Sequence, residues 1–496
     1  PMHWLALALV VETAVFTLAG FTWMRSRGYT LAEGGGGAIL SLFMALSMLH
    51  QFCRWLGSPW PAIILESATM VGLLYLGSRR RCRMGLYGDL KAMAPLLRQE
   101  TFGGGILAIA WMAMAALVMA ATLSPSPQAP LVIPPWEGPM VGRSSLNIQA
   151  LFYHTGRFGL DPGACGFGLL AHMAVGASTY ALARRHAWPP LALTVTLMVV
   201  SMPRLVFLGL RPTAELISTA AICFSLVLLY RLVEQHRPAD LLLFLLATLF
   251  SIHAAPMSFA LVFILLLLLV VVMVRRHGWI VWREMLGGKA LWILPALVPI
   301  LALAQLPVLL LDLAQGRPLL GGANGVVDNG LLGGCVNLVR YLLVSIDLTE
   351  PVRRAFLWLA GLDLGGLLTG IHAISVGRLA VDLPGSAVFL PVFSGGGQMG
   401  FGPWVPLLVL PAMVHAFLRG PRRLKALGVA WGGYLYLAAL TVAWRPDNLG
   451  ILTPLYAASG FVVAFSLPPH RLRRRGMRLL QALSALILAG ALLVQP

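Results

Sequence analysis

The chain has 496 residues, of which 58% are hydrophobic and only 11% charged, against about 25% charged in an ordinary soluble domain. That balance excludes a soluble globular enzyme, and it excludes disorder, because a chain this apolar has ample material for a core. Lys and Arg number 36 against 18 Asp and Glu, a net charge of +18, which has to be tested against membrane topology before it is read as affinity for nucleic acid.

A helix that crosses a hydrocarbon layer about 30 Å thick needs about 20 apolar residues, fewer where neighbours cover its ends. Fourteen apolar runs are candidates, at 4–23, 38–56, 62–77, 104–123, 164–182, 191–202, 216–229, 241–257, 258–274, 291–311, 404–418, 427–443, 452–465 and 479–494. The sixth and seventh are short. The expected fold class is all-α, a polytopic integral membrane helical bundle of about 13 to 14 transmembrane helices, with a long outer-face segment that contains amphipathic helices. Its expected parts are N-terminal transmembrane helices at 1–123, a core with the first outer loop at 124–311, a long outer segment at 312–403, and C-terminal helices at 404–496.

The loops alternate in basic content. Twenty-five of the 36 basic residues fall in one alternating set, from Arg25 and Arg27 through the Arg79 to Arg98 loop, Arg184 and Arg185, Arg231 and Arg237, Arg275 to Lys289, Arg419 to Lys425, and Arg471 to Arg478. An excess of Lys and Arg marks cytoplasmic loops, so this set is expected inside and the amino terminus outside, with no signal peptide in the first run. The net charge then reads as a topology signal and nucleic-acid binding loses its main support. The expected non-cytoplasmic segments are 124–163, 203–213 and 312–403, the last with amphipathic stretches at 336–348 and 352–364. Ten of the 18 acids fall outside in this arrangement, and only Glu12 and Glu66 lie within apolar runs. A proton-coupled transporter should carry several ionisable groups near mid-membrane, which this pattern does not provide.

Five cysteines, Cys53, Cys82, Cys165, Cys223 and Cys335, have no CxxC spacing and read as core thiols, neither a disulfide framework nor a metal site. The glycine stretches 34–37 and 395–397 lack a P-loop Lys-Ser/Thr. The 11 histidines are dispersed without HExxH; lone ones such as His172, His253 and His415 read as packed residues.

The polar motifs lie on the outer side. In Pro134-Pro135-Trp136-Glu137-Gly138-Pro139-Met140-Val141-Gly142-Arg143, a carboxylate held by prolines beside an aromatic can serve as a general base, or as the solvated neighbour of an interfacial Trp anchor. Tyr153, His154 and Arg157 stand at a helix entrance, where they suit a phosphate or sugar, or an aromatic belt with a snorkelling Arg. Arg204 and Arg211 suit a phosphate group, with Glu215 starting the next helix; capping with charge pairing is the plainer alternative. Arg445, Asp447 and Asn448 form a short outer turn with anion contact as its functional reading.

In order and content these motifs resemble the bacterial GT-C glycosyltransferases, the polytopic enzymes of the protein-mannosyltransferase and lipid A aminoarabinose-transferase type. Trp136-Glu137 stands where that family has Trp-Asp, and Arg211-Pro212-Thr213-Ala214-Glu215 resembles its acidic helix start. Phe401-Gly402-Pro403-Trp404 is similar to its entry to a late span, and Trp444-Arg445-Pro446-Asp447-Asn448-Leu449-Gly450-Ile451-Leu452-Thr453-Pro454 to its late turn. The likeness runs from about residue 131 onward. Glu137 and Glu215 replace aspartates, and Gly450 stands where the family pattern has Arg; an extra methylene moves a carboxylate by about 1.5 Å, on a scale where about 1 Å can cost 100-fold in rate.

The resemblance implies transfer of a sugar from a polyprenyl-phosphate donor to an acceptor on the outer face of a bacterial inner membrane. Glu137 would be the catalytic base, while Arg143, Tyr153, His154, Arg157, Arg204, Arg211, Glu215, Arg445 and Asn448 would bind substrate. It implies no resident cofactor and leaves divalent-metal dependence open. The expected partners are membrane lipids, the lipid-linked sugar and other membrane subunits, not nucleic acid. A non-catalytic subunit or scaffold of a larger complex, and a transporter or flippase for a lipid-linked intermediate, are the alternatives from other classes.

Overall fold

The computed structural model describes residues 2–58, 60–78, 85–89, 91, 101–123, 146–156, 163–211, 213–255, 258–287, 290–305, 310, 314, 330–346, 357–377, 379, 400–442, 444, 448–467 and 474–493. The regular structure in these residues is helical, without a β-strand. The helices are α1 (Met2–Ser26), α2 (Leu31–Leu56), α3 (Trp60–Ser78), α4 (Thr101–Leu123), α5 (Leu146–Gly156), α6 (Gly163–Ala183), α7 (Pro189–Val200), α8 (Pro203–Gly209), α9 (Ala214–Gln235) and α10 (Pro238–Ala254). They continue as α11 (Phe259–His277), α12 (Ile280–Leu286), α13 (Ala290–Leu303), α14 (Gly330–Ile346), α15 (Leu364–His372), α16 (Leu410–Arg419), α17 (Arg422–Thr441), α18 (Thr453–Ala457), α19 (Gly460–Ser466) and α20 (Arg474–Leu493).

The described residues of each of the fourteen apolar runs are mostly helical. Six helices among the described residues are long and apolar enough to cross a membrane, or up to eight if each of two bent pairs is one span. Large apolar side chains such as Ile64, Ile109, Phe263, Leu407 and Leu486 face outward, as lipid-facing positions must.

At the centre stands α9. From Leu216 to Val233 every one of its side chains is buried, the signature of a helix apolar on all sides. It packs against α6, α10 and α2. The glycine stretch 34–37 lets α2 approach both α9 and α6: a Cβ on Gly37 would stand 2.7 Å from Phe224 of α9, and one on Gly36 3.0 Å from the Ser178 hydroxyl of α6. These glycines serve close helix approach, as small residues do in membrane bundles.

Local chemistry sets the breaks. Thr30 and Glu33 form a reciprocal capping box at the start of α2, and Gly57 ends that helix at φ 62°. Pro203 opens α8 and disfavours helical geometry at Met202, so the sixth run turns by 71° between α7 and α8. The expected outer loop 203–213 is therefore a correction: Pro203–Gly209 is a helix and all its side chains are buried. The thirteenth run bends by 49° between Leu449–Ala457 and α19. In the segment expected outside, α14 covers most of the expected amphipathic stretch and buries Val336, Asn337, Arg340, Tyr341 and Val344, packing on α17. The stretch 352–364 is not one helix, because Asp363 caps a new one, accepting from the Gly365 amide. Cys53 and Cys223 are buried as expected, whereas Cys335 is exposed.

The basic loops meet at one end of the bundle. Arg237 donates to the Arg27 carbonyl; Arg25 pairs with Asp89 at 2.7 Å; Arg185 pairs with Glu33 at 2.8 Å and with Glu234 at 2.6 Å; Arg423 lies 4.0 Å from Glu234. Arg231 reaches both Glu33 at 3.1 Å and Asp240 at 3.3 Å. The Arg25 guanidinium, through its hydrogen bond, holds the Asp89 carboxyl below the usual carboxylate range. Five of the seven loops assigned to one side by charge thus share one end in space, which is what the alternation requires.

Candidate functional site

At the opposite end a second polar layer forms, 16 residues up α9 from Arg231, or about 24 Å at 1.5 Å per residue. That separation is close to the hydrocarbon thickness of about 30 Å. The charged side chains of the two layers therefore sit near the membrane faces.

The break between α7 and α8 delivers Arg204 to this layer, and the start of α9 delivers Glu215. Arg204 Nη2 donates to Glu215 Oε2 at 2.8 Å, and its Nε donates to Oε1 at 3.0 Å. Thr453, from the late turn, donates its hydroxyl to the same carboxylate. Gly450 completes the enclosure, since a Cβ there would touch the carboxylate at 3.4 Å.

Aromatic side chains extend the layer. Phe401 stands 5.8 Å from the Arg204 guanidinium and 4.8 Å from the Tyr456 ring. Tyr456 hydrogen-bonds Ser345 of α14, and Trp404 donates to the Ser201 hydroxyl at 3.2 Å, at the α7 break. Tyr434 donates to the Ile451 carbonyl at 2.7 Å. Next to them Arg340 is held by Asn337 and His372, 3.2 Å from each, under the Trp444 ring at 5.6 Å. Segments around residues 204, 215, 340, 401–404 and 444–453 thus close on one another.

Of the residues expected to bind substrate, Arg204 and Glu215 come together. Arg204 is turned into the bundle, so the expectation that it meets a phosphate alongside Arg211 is modified. Arg211 is exposed, with its guanidinium 4.0 Å over the Phe207 ring. Glu137, Arg143, Arg157 and Arg445 lie outside the described residues, and of Asn448 only the backbone is described, at the start of the turn Asn448–Ile451.

Gly168 fixes where this end of α8 sits. A Cβ there would meet the Arg211, Gly209 and Leu208 carbonyls at 2.8, 2.9 and 3.2 Å. Gly168→Ala is expected to cost about 1–3 kcal/mol, as overpacking does, which thermal unfolding in detergent would read.

Tyr153 and His154 belong elsewhere. Asn147 anchors α5 through bonds to the Phe250 and Leu303 carbonyls at 3.3 Å each and a bond from Gln305 at 2.8 Å. That seating drives His154 into a buried group with His50 of α2, 3.1 Å away between ring nitrogens, Glu66 of α3 at 3.5 Å, and Glu12 of α1 at 3.3 Å. Tyr153 presents its ring edge-on to His50. One atom each of His50, Glu66 and His154 lie within 4.8 Å of one another, a set with the donors to hold a metal ion. Sequence reading missed this group. Its signals were His154 in a polar motif and Glu12 and Glu66 inside apolar runs, since an ionisable residue in a membrane span calls for a partner.

The fold and its two charged layers define an all-α, multi-pass membrane protein. No protein family, no curated protein and no solved structure matches the chain.

Proposed function

We propose that the chain is a GT-C-type membrane glycosyltransferase of a bacterial inner membrane, moving a sugar from a polyprenyl-phosphate donor to an acceptor on the outer face. The observation that carries this reading is the meeting of three of the four resemblance motifs in one layer: Glu215 at the helix start, Phe401 and Trp404 at the late span entry, and Gly450 and Thr453 in the late turn. Residues brought together from such distant parts of the chain are what a site needs and what a row of interfacial anchors does not. Arg204 would fix the Glu215 carboxylate, Arg211 would meet the donor phosphate from the exposed side, and Glu137 would take the acceptor proton as the hydroxyl attacks the anomeric carbon. Cationic groups near the departing phosphate would stabilise its charge.

Arg211→Ala tests the arrangement. Because Arg211 is exposed and packs only along Phe207 in this account, stability should change by no more than about 0.5 kcal/mol, while KM for the donor rises by about tenfold, the loss expected for one charge-assisted contact. An unchanged KM in transfer assays would remove Arg211 from donor binding. A non-catalytic subunit is the second reading, favoured by the engagement of Arg204 with Glu215 and Thr453 inside the bundle; it expects no transfer from any donor.

A further inference from the structure

The group at Glu12, His50, Glu66 and His154 draws one side chain from each of four helices, and none of them is used by the proposed transfer chemistry. All four are at most 8% exposed, and both histidines are fully buried. His50 lies 17 residues along α2 from Glu33, about 26 Å at 1.5 Å per residue, so the group sits on the side away from the basic loops.

Its geometry is that of a ligand set. His50 Nε2 and His154 Nδ1 are 3.1 Å apart, and Glu66 Oε1 is 3.5 Å from that same His154 nitrogen. Ligand atoms about 2.0–2.1 Å from a tetrahedral zinc ion stand about 3.3 Å from one another. Two of the three spacings are therefore those of one face of such a site, and all three ligand atoms lie within 4.8 Å of one another, so rotations of the rings and the carboxylate would centre them on an ion.

Behind His154, Glu12 Oε2 faces the other ring nitrogen, Nε2, at 3.3 Å. A carboxylate on the far nitrogen of a ligating imidazole fixes its tautomer and orientation and makes it a stronger donor. The edge-on Tyr153 ring, 5.3 Å from His50 at 85°, restricts the second imidazole. Charge also balances: two carboxylates match a dication, with both imidazoles neutral. Imidazole and carboxylate donors without thiolate suit zinc and its first-row neighbours rather than copper(I) or an iron–sulfur cluster.

We propose that His50, Glu66 and His154 ligate one divalent transition-metal ion, zinc being the expected one, with Glu12 orienting His154. The ion ties α2 and α3 to α5, and α1 through Glu12, joining the N-terminal helices to the first helix after the loop that carries Glu137. This site stands independently of the transferase reading.

The test is metal analysis of the purified full chain in detergent, saturated with zinc chloride and freed of excess, followed by X-ray absorption at the zinc edge. One zinc per chain with two imidazoles among its ligands is expected. The His50→Ala, His154→Ala double variant should lose the ion, and Glu12→Gln should weaken binding by about 10–100-fold, as loss of such an orienting group does. If the double variant fails to fold, the absorption spectrum of the unmutated protein decides. Chelation should lower the unfolding temperature and zinc should restore it. No zinc at saturation, zinc without imidazole ligands, or full zinc content in a folded double variant would overturn the proposal; the cluster would then be imidazoles and carboxylates that share protons.

Discussion

Replacing Glu33 with alanine is expected to destabilise the protein by about 3–5 kcal/mol, the range for breaking a buried ion pair by removing one partner. Glu33 has 4% of its side chain exposed and bridges two guanidiniums, Arg231 at 3.1 Å and Arg185 at 2.8 Å. Arg231 also pairs with Asp240 and lies 3.8 Å over the Tyr29 ring, whose hydroxyl donates to Asp240. Without Glu33, the buried Arg231 keeps a single carboxylate and the capping box of α2 loses its reciprocal bond. Asp89→Asn is the control, because the pair with Arg25 is more exposed and should contribute no more than about 1 kcal/mol. Unfolding midpoints in one detergent compare the two. Equal shifts would contradict the assignment of Glu33 as the keystone of the basic end.

The second large effect is on activity. Glu137→Gln keeps the side chain's size and hydrogen-bonding reach but removes the proton acceptor, so transfer should fall by about 100-fold or more, the lower bound for loss of a general base. Expression and unfolding midpoint should match those of the unmutated protein. A Gln variant with full activity would remove Glu137 from the chemistry and return it to the role of neighbour to an interfacial Trp.

The sequence carried the fold class well because its physics is one-dimensional: hydrocarbon thickness fixes run length, and loop charge fixes side. Arg25, Arg185, Arg231, Arg237 and Arg423 were grouped by alternation alone, and they share one end in space. Run length says nothing about direction, so the turn at Met202 needed the local steric effect of Pro203 to be weighed, and Pro203–Gly209 was expected as a loop although it is a buried helix.

The Arg204, Glu215 and Thr453 group was legible in part, because each residue stands in a polar motif between spans. Their pairing was not, since residues 204 and 453 meet only through packing around α9. His50, Glu66, His154 and Glu12 illustrate the opposite case. Only His154 lies in a polar motif, where it reads as a substrate contact, and the meeting of the four depends on how α5 is seated by Asn147. Intramembrane carboxylates were visible, but the rule that such groups seek partners names no partner until the helices are packed.

The most direct measurement of the central claim is sugar transfer by the purified, reconstituted protein, with polyprenyl-phosphate-linked donors of varied sugar offered to a mixed acceptor pool on the outer side. The account predicts that label leaves the lipid and appears in an acceptor with the unmutated chain, and that the Glu137→Gln chain leaves it on the lipid. Absence of transfer from every donor by the folded, unmutated protein would contradict it and make the chain a non-catalytic membrane subunit.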